Sequence, residues 1–172
     1  QRGLRWIVTA ILLALISFVL FARFHFMPMP SALSPESTLV LPVLDALPNE
    51  APVLLVFDYE PALTGELEAT TASFLNHLTV LRNPRYTVLS TSPTGAALAT
   101  RFFKNLQTIP DDRVLNLGYL PGESLGILSF AANPRTAKPY NMDGQSAWTS
   151  PLSQDVNAFS DYALVVLLTD RA

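Results

Sequence analysis

Cysteine is absent from the 172 residues, and histidine occurs only twice. The absence of cysteine excludes disulfide bonds, thiolate zinc sites, iron–sulfur clusters and covalent haem attachment of the c type. Any catalysis within this chain that needs an imidazole must therefore use His25 or His77.

Clustered positive charge is lacking as well. Three of the 11 basic side chains, Arg2, Arg5 and Arg23, lie near one apolar run, which leaves eight basic against 14 acidic side chains. No group of lysines and arginines can collect phosphates, so nucleic-acid binding is disfavoured. Neither GxGxxG nor GxxxxGK[ST] occurs, which disfavours dinucleotides and nucleoside triphosphates. We expect no cofactor.

The most prominent feature that is present is an uninterrupted apolar run, WIVTAILLALISFVLFA, at residues 6–22. As a helix it would be about 26 Å long, the short end of a membrane span, and Arg5 and Arg23 could extend to the interfaces. We therefore predict a transmembrane anchor over residues 1–27. A signal peptide is the alternative, but the run exceeds a signal-peptide core and RFHF behind it is no small-residue cleavage site.

The distribution of arginines predicts the orientation of this anchor. Arg2 and Arg5 precede the run, and the next strongly basic residue after Arg23 is Arg82. By the positive-inside rule we expect a cytoplasmic N-terminus, a single pass through the cell membrane and an extracytoplasmic remainder. The expected partners are then the lipid bilayer and other membrane-protein subunits. The aromatic residues expected at the two membrane interfaces are Trp6, Phe24 and Phe26.

Proline is dense between the anchor and the globular part. Residues 28–50 contain prolines at 28, 30, 35, 42 and 48, a density that predicts extended backbone instead of a regular helix. We predict a stalk over residues 28–50. Its apolar stretch LVLPVL, which includes Leu39 and Leu41, either lies on the domain's own surface or contacts a partner or the membrane.

The pattern of residues 51–172 predicts one extracytoplasmic α/β domain. Continuous apolar or β-branched runs predict strands, and amphipathic or capped segments between them predict helices. The predicted strands are 52–59, 86–90, 114–119 and 163–168, and the predicted helices are 61–82, a helix capped by Thr94, and 123–132. This alternation predicts a Rossmann-like three-layer fold with a mostly parallel sheet of about four strands.

Between Pro134 and Tyr162 the periodicity is lost, apart from a short helix that Ser150 would cap. Loops of this length are usually functional or mobile. Tyr140 and Trp148 are the residues best suited to anchor a partner contact, because large aromatic side chains dominate interface energetics. The alternative is that both pack on the domain's own core.

Polar side chains follow the predicted strands, at the edge where open α/β sheets place their sites. Asp58 and Glu60 follow the first strand, Ser90 and Ser92 the second, and Asp170 the fourth. These five are candidate ligand-binding residues that could hold a magnesium ion or a sugar hydroxyl. Polar residues begin most loops, however, and no spacing motif supports a metal site, so none is predicted.

The segment Gly122-Glu123-Ser124-Leu125-Gly126 has the form G-x-S-x-G between a strand and a helix. It resembles the nucleophile elbow of the α/β-hydrolase family, in which Ser124 would be the nucleophile. That chemistry needs an acid and then a histidine later in the chain, and no histidine follows Ser124. The alternative is a glycine-flanked turn, and we do not expect catalysis.

A wider likeness covers nearly the whole chain. The N-terminal run together with LVFDYEPALTGELEA, LSTSPTGAALA, LNLGYLPGESLGILSFA and DYALVVLLTD resembles a group of bacterial membrane-anchored α/β proteins. The resemblance implies an extracytoplasmic domain associated with membrane machinery, and longer members continue into further α/β units. It implies no reaction, because the group has no assigned catalytic residues.

These features predict a single-pass accessory or scaffold subunit of a membrane protein complex with a non-catalytic domain. The alternative is an anchored hydrolase or small-ligand-binding domain that uses the strand ends. Residues 163–168 are apolar at every position, so we also expect further polypeptide or a partner subunit to cover the last strand.

Overall fold

The computed structural model describes residues 2–25 and 35–170, without the side chains of residues 2, 4, 5, 19–25, 35–39 and 41. The chain divides into two compact units, Gln1–Pro42 and Val43–Ala172. The predicted boundaries at residues 27 and 50 are not tested by this division. They stay predictions.

The first unit contains one long helix, α1 (Arg2–His25). Every large apolar side chain between Trp6 and Phe18 is exposed. Within residues 2–25 and 35–170, no helix combines the length and apolarity needed to cross a membrane. The predicted anchor therefore stays a prediction. The side chain of Phe24 and the whole of Phe26 lie outside the described part.

The extended backbone predicted for residues 28–50 is contradicted over residues 35–46, and the stalk itself stays a prediction. A helix, α2 (Pro35–Ala46), occupies most of it and holds Pro42 in its interior. An interior proline costs about 3 kcal/mol because it removes a hydrogen bond and crowds the preceding turn. Leu44 and Leu47 are both buried in the domain core, and burial of each contributes about 2 kcal/mol, enough to offset that cost. The side chains of Leu39 and Leu41 lie outside the described part.

The second unit is built on four parallel strands in the order β3-β2-β1-β4. The strands are β1 (Pro52–Asp58), β2 (Arg85–Ser90), β3 (Val114–Tyr119) and β4 (Leu164–Thr169). The helices are α3 (Thr64–Arg82), α4 (Pro93–Asn105), α5 (Glu123–Ala132) and the short α6 (Pro134–Ala137). The predicted α/β fold with a parallel sheet of four strands is confirmed.

Helices cover both faces of this sheet, because alternate strand residues point to opposite sides. On one face, Val53 and Leu55 of β1 pack with Leu75 of α3 and Phe102 of α4. On the other, Leu54 packs with residues of α5 and of the segment that follows it. The residues that this second face takes from α5 and the following segment are Phe130, Ala147, Trp148, Val156 and Tyr162.

Two helix starts differ from the predictions. The Ser92 hydroxyl, not Thr94, caps α4 by accepting a hydrogen bond from the Gly95 N–H at 2.9 Å. Pro93 explains this start, since proline is favoured in the first helical turn. Ser150 begins a series of turns and no helix: its carbonyl accepts from the N–H of Ser153 at 3.0 Å.

Side chains and a loop seal the outer edge of β3. The Met142 N–H donates to the Asn116 carbonyl at 2.9 Å, and the Lys138 ammonium donates to the Tyr119 carbonyl at 3.0 Å. The Asn116 side chain accepts from the Gly118 N–H at 2.9 Å. The pairing of β3 with β2 also shifts register between Val88 and Leu89. A bulge and occupied backbone groups are devices that prevent a further strand from pairing.

Candidate functional site

The carboxyl ends of β1, β2 and β3 open onto a cleft of about 310 Å³. Parallel strands bring these ends to one edge of the sheet, and the N-termini of α4 and α5 meet there. The cleft is lined by Asp58, Thr91, Ser92, Pro93, Tyr119, Glu123, Ser124 and Ile127. The structure therefore brings together Asp58 and Ser92 of the predicted ligand residues, and adds Ser124 from the G-x-S-x-G segment.

A smaller cleft of about 130 Å³ lies between the ends of β1 and β4. This is the point where the strand order reverses, the usual ligand position in doubly wound sheets. Asp58, Glu60 and Asp170 line it. The Asp170 carboxylate accepts a hydrogen bond from the Glu60 N–H at 2.8 Å, so this acid already fixes the loop after β1.

The two predicted serines have structural roles. Ser90 is fully buried, and its hydroxyl lies 2.6 Å from the Phe57 carbonyl and 2.7 Å from the Ser92 carbonyl, both of which are acceptors. Ser92 caps α4. Neither hydroxyl is therefore free to bind a ligand without weakening the join between β1, β2 and α4.

Carboxylates dominate the chemistry of the larger cleft. The Asp58 carboxylate accepts from the Thr91 hydroxyl at 2.5 Å, which fixes its orientation. Glu123 faces the same cleft but was missed among the predicted ligand residues. The only sequence signal for it was its place directly after Gly122 at a helix start. Two acids beside hydroxyl groups suit an amine or a polyhydroxylated ligand better than an anion.

Within the part of the chain that the structure describes, no group of three or more histidine, aspartate or glutamate side chains is placed to hold a metal ion. The magnesium alternative considered from the sequence thus has no three-residue ligand set at these strand ends.

The G-x-S-x-G segment lacks the geometry of a nucleophile elbow. In such an elbow the serine itself sits on the strained turn. Here the positive φ angles belong to Gly122, at 97°, and Glu123, at 47°, while Ser124 lies inside α5. His77 is on α3, which packs against the opposite face of the sheet from α5. No imidazole of the described domain can therefore take a proton from Ser124.

We expect a fluorophosphonate probe to leave Ser124 unlabelled, because an unactivated hydroxyl is a poor nucleophile. Intact-mass measurement after incubation with the probe checks this. Ser124→Ala is expected to change the free energy of unfolding by less than about 0.5 kcal/mol, since the side chain is exposed. A probe adduct that the alanine variant lacks would restore the serine as a nucleophile.

The two aromatic residues singled out in the long loop lie in different environments. Trp148 is 8% exposed, its indole N–H donates to the Lys138 carbonyl at 2.8 Å, and the Arg135 guanidinium lies 5.9 Å from its ring centroid. Trp148 therefore packs in the domain's own core, the second alternative above. Tyr140 is 60% exposed and stays a predicted contact residue.

Arg135 and Arg85 hold this loop to the sheet. Arg135 donates to the carbonyls of Gln154 and Val156 at 2.7 and 2.9 Å. Arg85, at the start of β2, forms a two-pronged ion pair with Asp155 at 2.6 and 2.7 Å. The Arg85 hydrogen bond holds the pKa of the Asp155 carboxyl below its ordinary value.

Comparison with known proteins identifies no similar protein. No protein-family model, curated protein or solved structure matches this chain.

Proposed function

We propose that the chain is an accessory or scaffold subunit of a membrane protein complex, and that its α/β domain is non-catalytic and binds a partner polypeptide. The observation that carries this proposal is an exposed apolar surface beside β4, which we call the β4 shelf. It consists of Val165 and Leu167 of β4 with Ile127 of α5.

Strand register places the two β4 residues on the α5 face. Val165 pairs with Leu54, which lies in the core on that face, and Leu167 pairs with the half-buried Val56. Residues paired in register in a parallel sheet point to the same side. Ile127 lines the cleft at the end of β1, and α5 also contacts the turn Phe159–Asp161 that precedes β4.

These side chains are well exposed for their size. The exposed fractions are 41% for Val165, 58% for Leu167 and 49% for Ile127. Leaving about 200 Å² of apolar surface in water forfeits on the order of 5 kcal/mol, comparable to the whole stability of a small domain. Exposed apolar side chains grouped on one face of a domain are typical of a protein interaction site.

The membrane part of the proposal is supported by α1. Its large apolar side chains from Trp6 to Phe18 are exposed, and insertion into lipid would remove them from water. We propose that α1 lies in the cell membrane with a cytoplasmic N-terminus and that the domain is extracytoplasmic. Protease added outside intact cells should then remove the domain, whereas full protection would reverse the topology.

Leu167→Asp is expected to abolish co-purification of the partner subunit after gentle detergent extraction, because a charge on the β4 shelf cannot be buried against an apolar partner. Val80→Asp is the matched control, since Val80 is 86% exposed on α3 at the other face. Circular dichroism checks that both variants fold. Equal recovery of partners by both variants would contradict the proposal.

A second candidate function follows from the larger cleft. Asp58 and Glu123 in a volume of about 310 Å³ could bind a small amine or sugar. In that case Asp58→Asn should lower affinity for the ligand while leaving partner co-purification unchanged, which equilibrium dialysis with such ligands would show.

A further inference from the structure

We infer that the occupant of the β4 shelf is an amphipathic α-helix of a partner subunit, with lysine or arginine residues flanking its apolar face. This inference rests on the proposed function and specifies the class of partner. It follows from the layering of the sheet, the charges around the shelf and the direction in which a helix would lie.

The layering indicates a helix. Elsewhere on this sheet, a helix or the loop behind α5 packs against the strand residues. The helix α5 forms one side of the β4 shelf, and it also contacts the turn Phe159–Asp161 just before β4. A helix beside α5 at the usual spacing of 8–10 Å would therefore rest on Val165 and Leu167.

The charges around the shelf indicate a basic partner. Asp58 and Asp170 lie at the carboxyl ends of β1 and β4, Glu123 begins α5, and the exposed Asp161 precedes β4. The described basic side chains on this face are engaged elsewhere: Arg85 pairs with Asp155, and Arg135 and Lys138 donate to backbone carbonyls. The acidic rim thus complements lysine and arginine, and repels a partner with an acidic rim.

The direction of the strands supports the same assignment. Helices packed on parallel sheets run antiparallel to the strands they cover. A helix on the shelf would then have its N-terminus beside Asp58, Glu123 and Asp170. The positive end of the helix dipole at those carboxylates is a favourable arrangement.

The test uses two fluorescent model helices of about 18 residues, long enough to be helical in isolation. Both carry leucine at helical spacing on one face, and the other positions are lysine in one peptide and glutamate in the other. Fluorescence anisotropy with the full chain should show binding of the lysine peptide at least about tenfold tighter than the glutamate peptide. Added salt should reduce that difference.

Leu167→Asp should lower the affinity for the lysine peptide by about tenfold or more, which is the effect of losing one buried leucine. Val80→Asp should leave this affinity unchanged. This pattern would support the inference. Equal binding to both variants would overturn it, because the peptide would then be attracted by overall charge. Failure of both peptides while Leu167→Asp still releases the natural partner would overturn the helix assignment and leave the proposed function intact.

Discussion

Gly95→Ala is expected to lower the free energy of unfolding by about 3 kcal/mol. Gly95 is buried in the first turn of α4, where that helix crosses the end of β1. An added Cβ would lie 2.6 Å from the Phe57 carbonyl oxygen and 3.0 Å from the Ser92 hydroxyl, and would also overlap the Ser90 hydroxyl. Because the carbonyl belongs to the central strand, the helix must move and its cap must break.

Gly65→Ala is the control, since Gly65 is also in the first turn of a helix and an added Cβ there meets nothing within 4 Å. It should leave stability unchanged or raise it by up to about 1 kcal/mol, because alanine is the better helix former. Urea unfolding followed by circular dichroism measures both variants. Equal midpoints would show that α4 does not rest against β1 as described.

Stability is expected to fall steeply between pH 10 and pH 12, by about 2 kcal/mol for each of two buried tyrosines. Burial raises the pKa of Tyr86 to about 12, a value that the Thr79 hydroxyl lowers slightly, and burial raises the pKa of Tyr162 to about 12. Below pH 10 both the folded and unfolded chains keep these protons. Above about pH 10 the tyrosines of the unfolded chain ionise first, so the free energy of unfolding falls as the pH rises. The fall ends when the pH passes the pKa of the tyrosines in the folded chain.

Tyr86→Phe and Tyr162→Phe should each remove about 2 kcal/mol of the alkaline loss, and part of the loss that remains belongs to Tyr59, whose pKa burial also raises. Tyr86→Phe should also cost about 1 kcal/mol at neutral pH, because the hydroxyl lies 2.8 Å from that of Thr79. Tyr140→Phe is the control, since Tyr140 is exposed. Urea titrations at several pH values measure the slopes, and identical slopes for all four proteins would contradict the assigned pKa values.

The strands could be predicted because their signal is local. The run at residues 114–119 became β3 (Val114–Tyr119) without change, β1 and β2 differ from prediction by one residue at one end, and β4 differs by one residue at each end. Strands covered on both faces need apolar side chains at every position, and such runs are rare elsewhere.

The helix α2 could not be predicted, because its cause is distant in sequence. Five prolines between residues 28 and 50 describe local backbone preference, whereas the burial of Leu44 and Leu47 depends on the finished core. The packing of the loop behind α5 could not be predicted for the same reason. Arg135 and Trp148 hold it through backbone carbonyls and one ring contact, and neither leaves a periodic pattern.

The sequence predicted which edge of the sheet carries the candidate site, but not which side chains line it. Topology alone placed Asp58, Glu60 and Asp170 at one edge of the sheet. The sequence could not show that Ser90 would be buried between two carbonyls, nor that Glu123 would turn into the same cleft. Those outcomes depend on side-chain direction, which strand and helix patterns do not specify.

The sealed edge of β3 limits how this domain can polymerise. A fibre that grows by pairing of sheet edges needs two unpaired edge strands on every molecule, one for each neighbouring molecule. With the Asn116, Gly118 and Tyr119 backbone groups occupied, the β4 side is the one edge of the sheet, among the residues that the structure describes, that can still pair with another strand. Copies that meet there close into a pair and leave no growing end, so an unshielded domain is expected to stop at dimers and not to seed filaments.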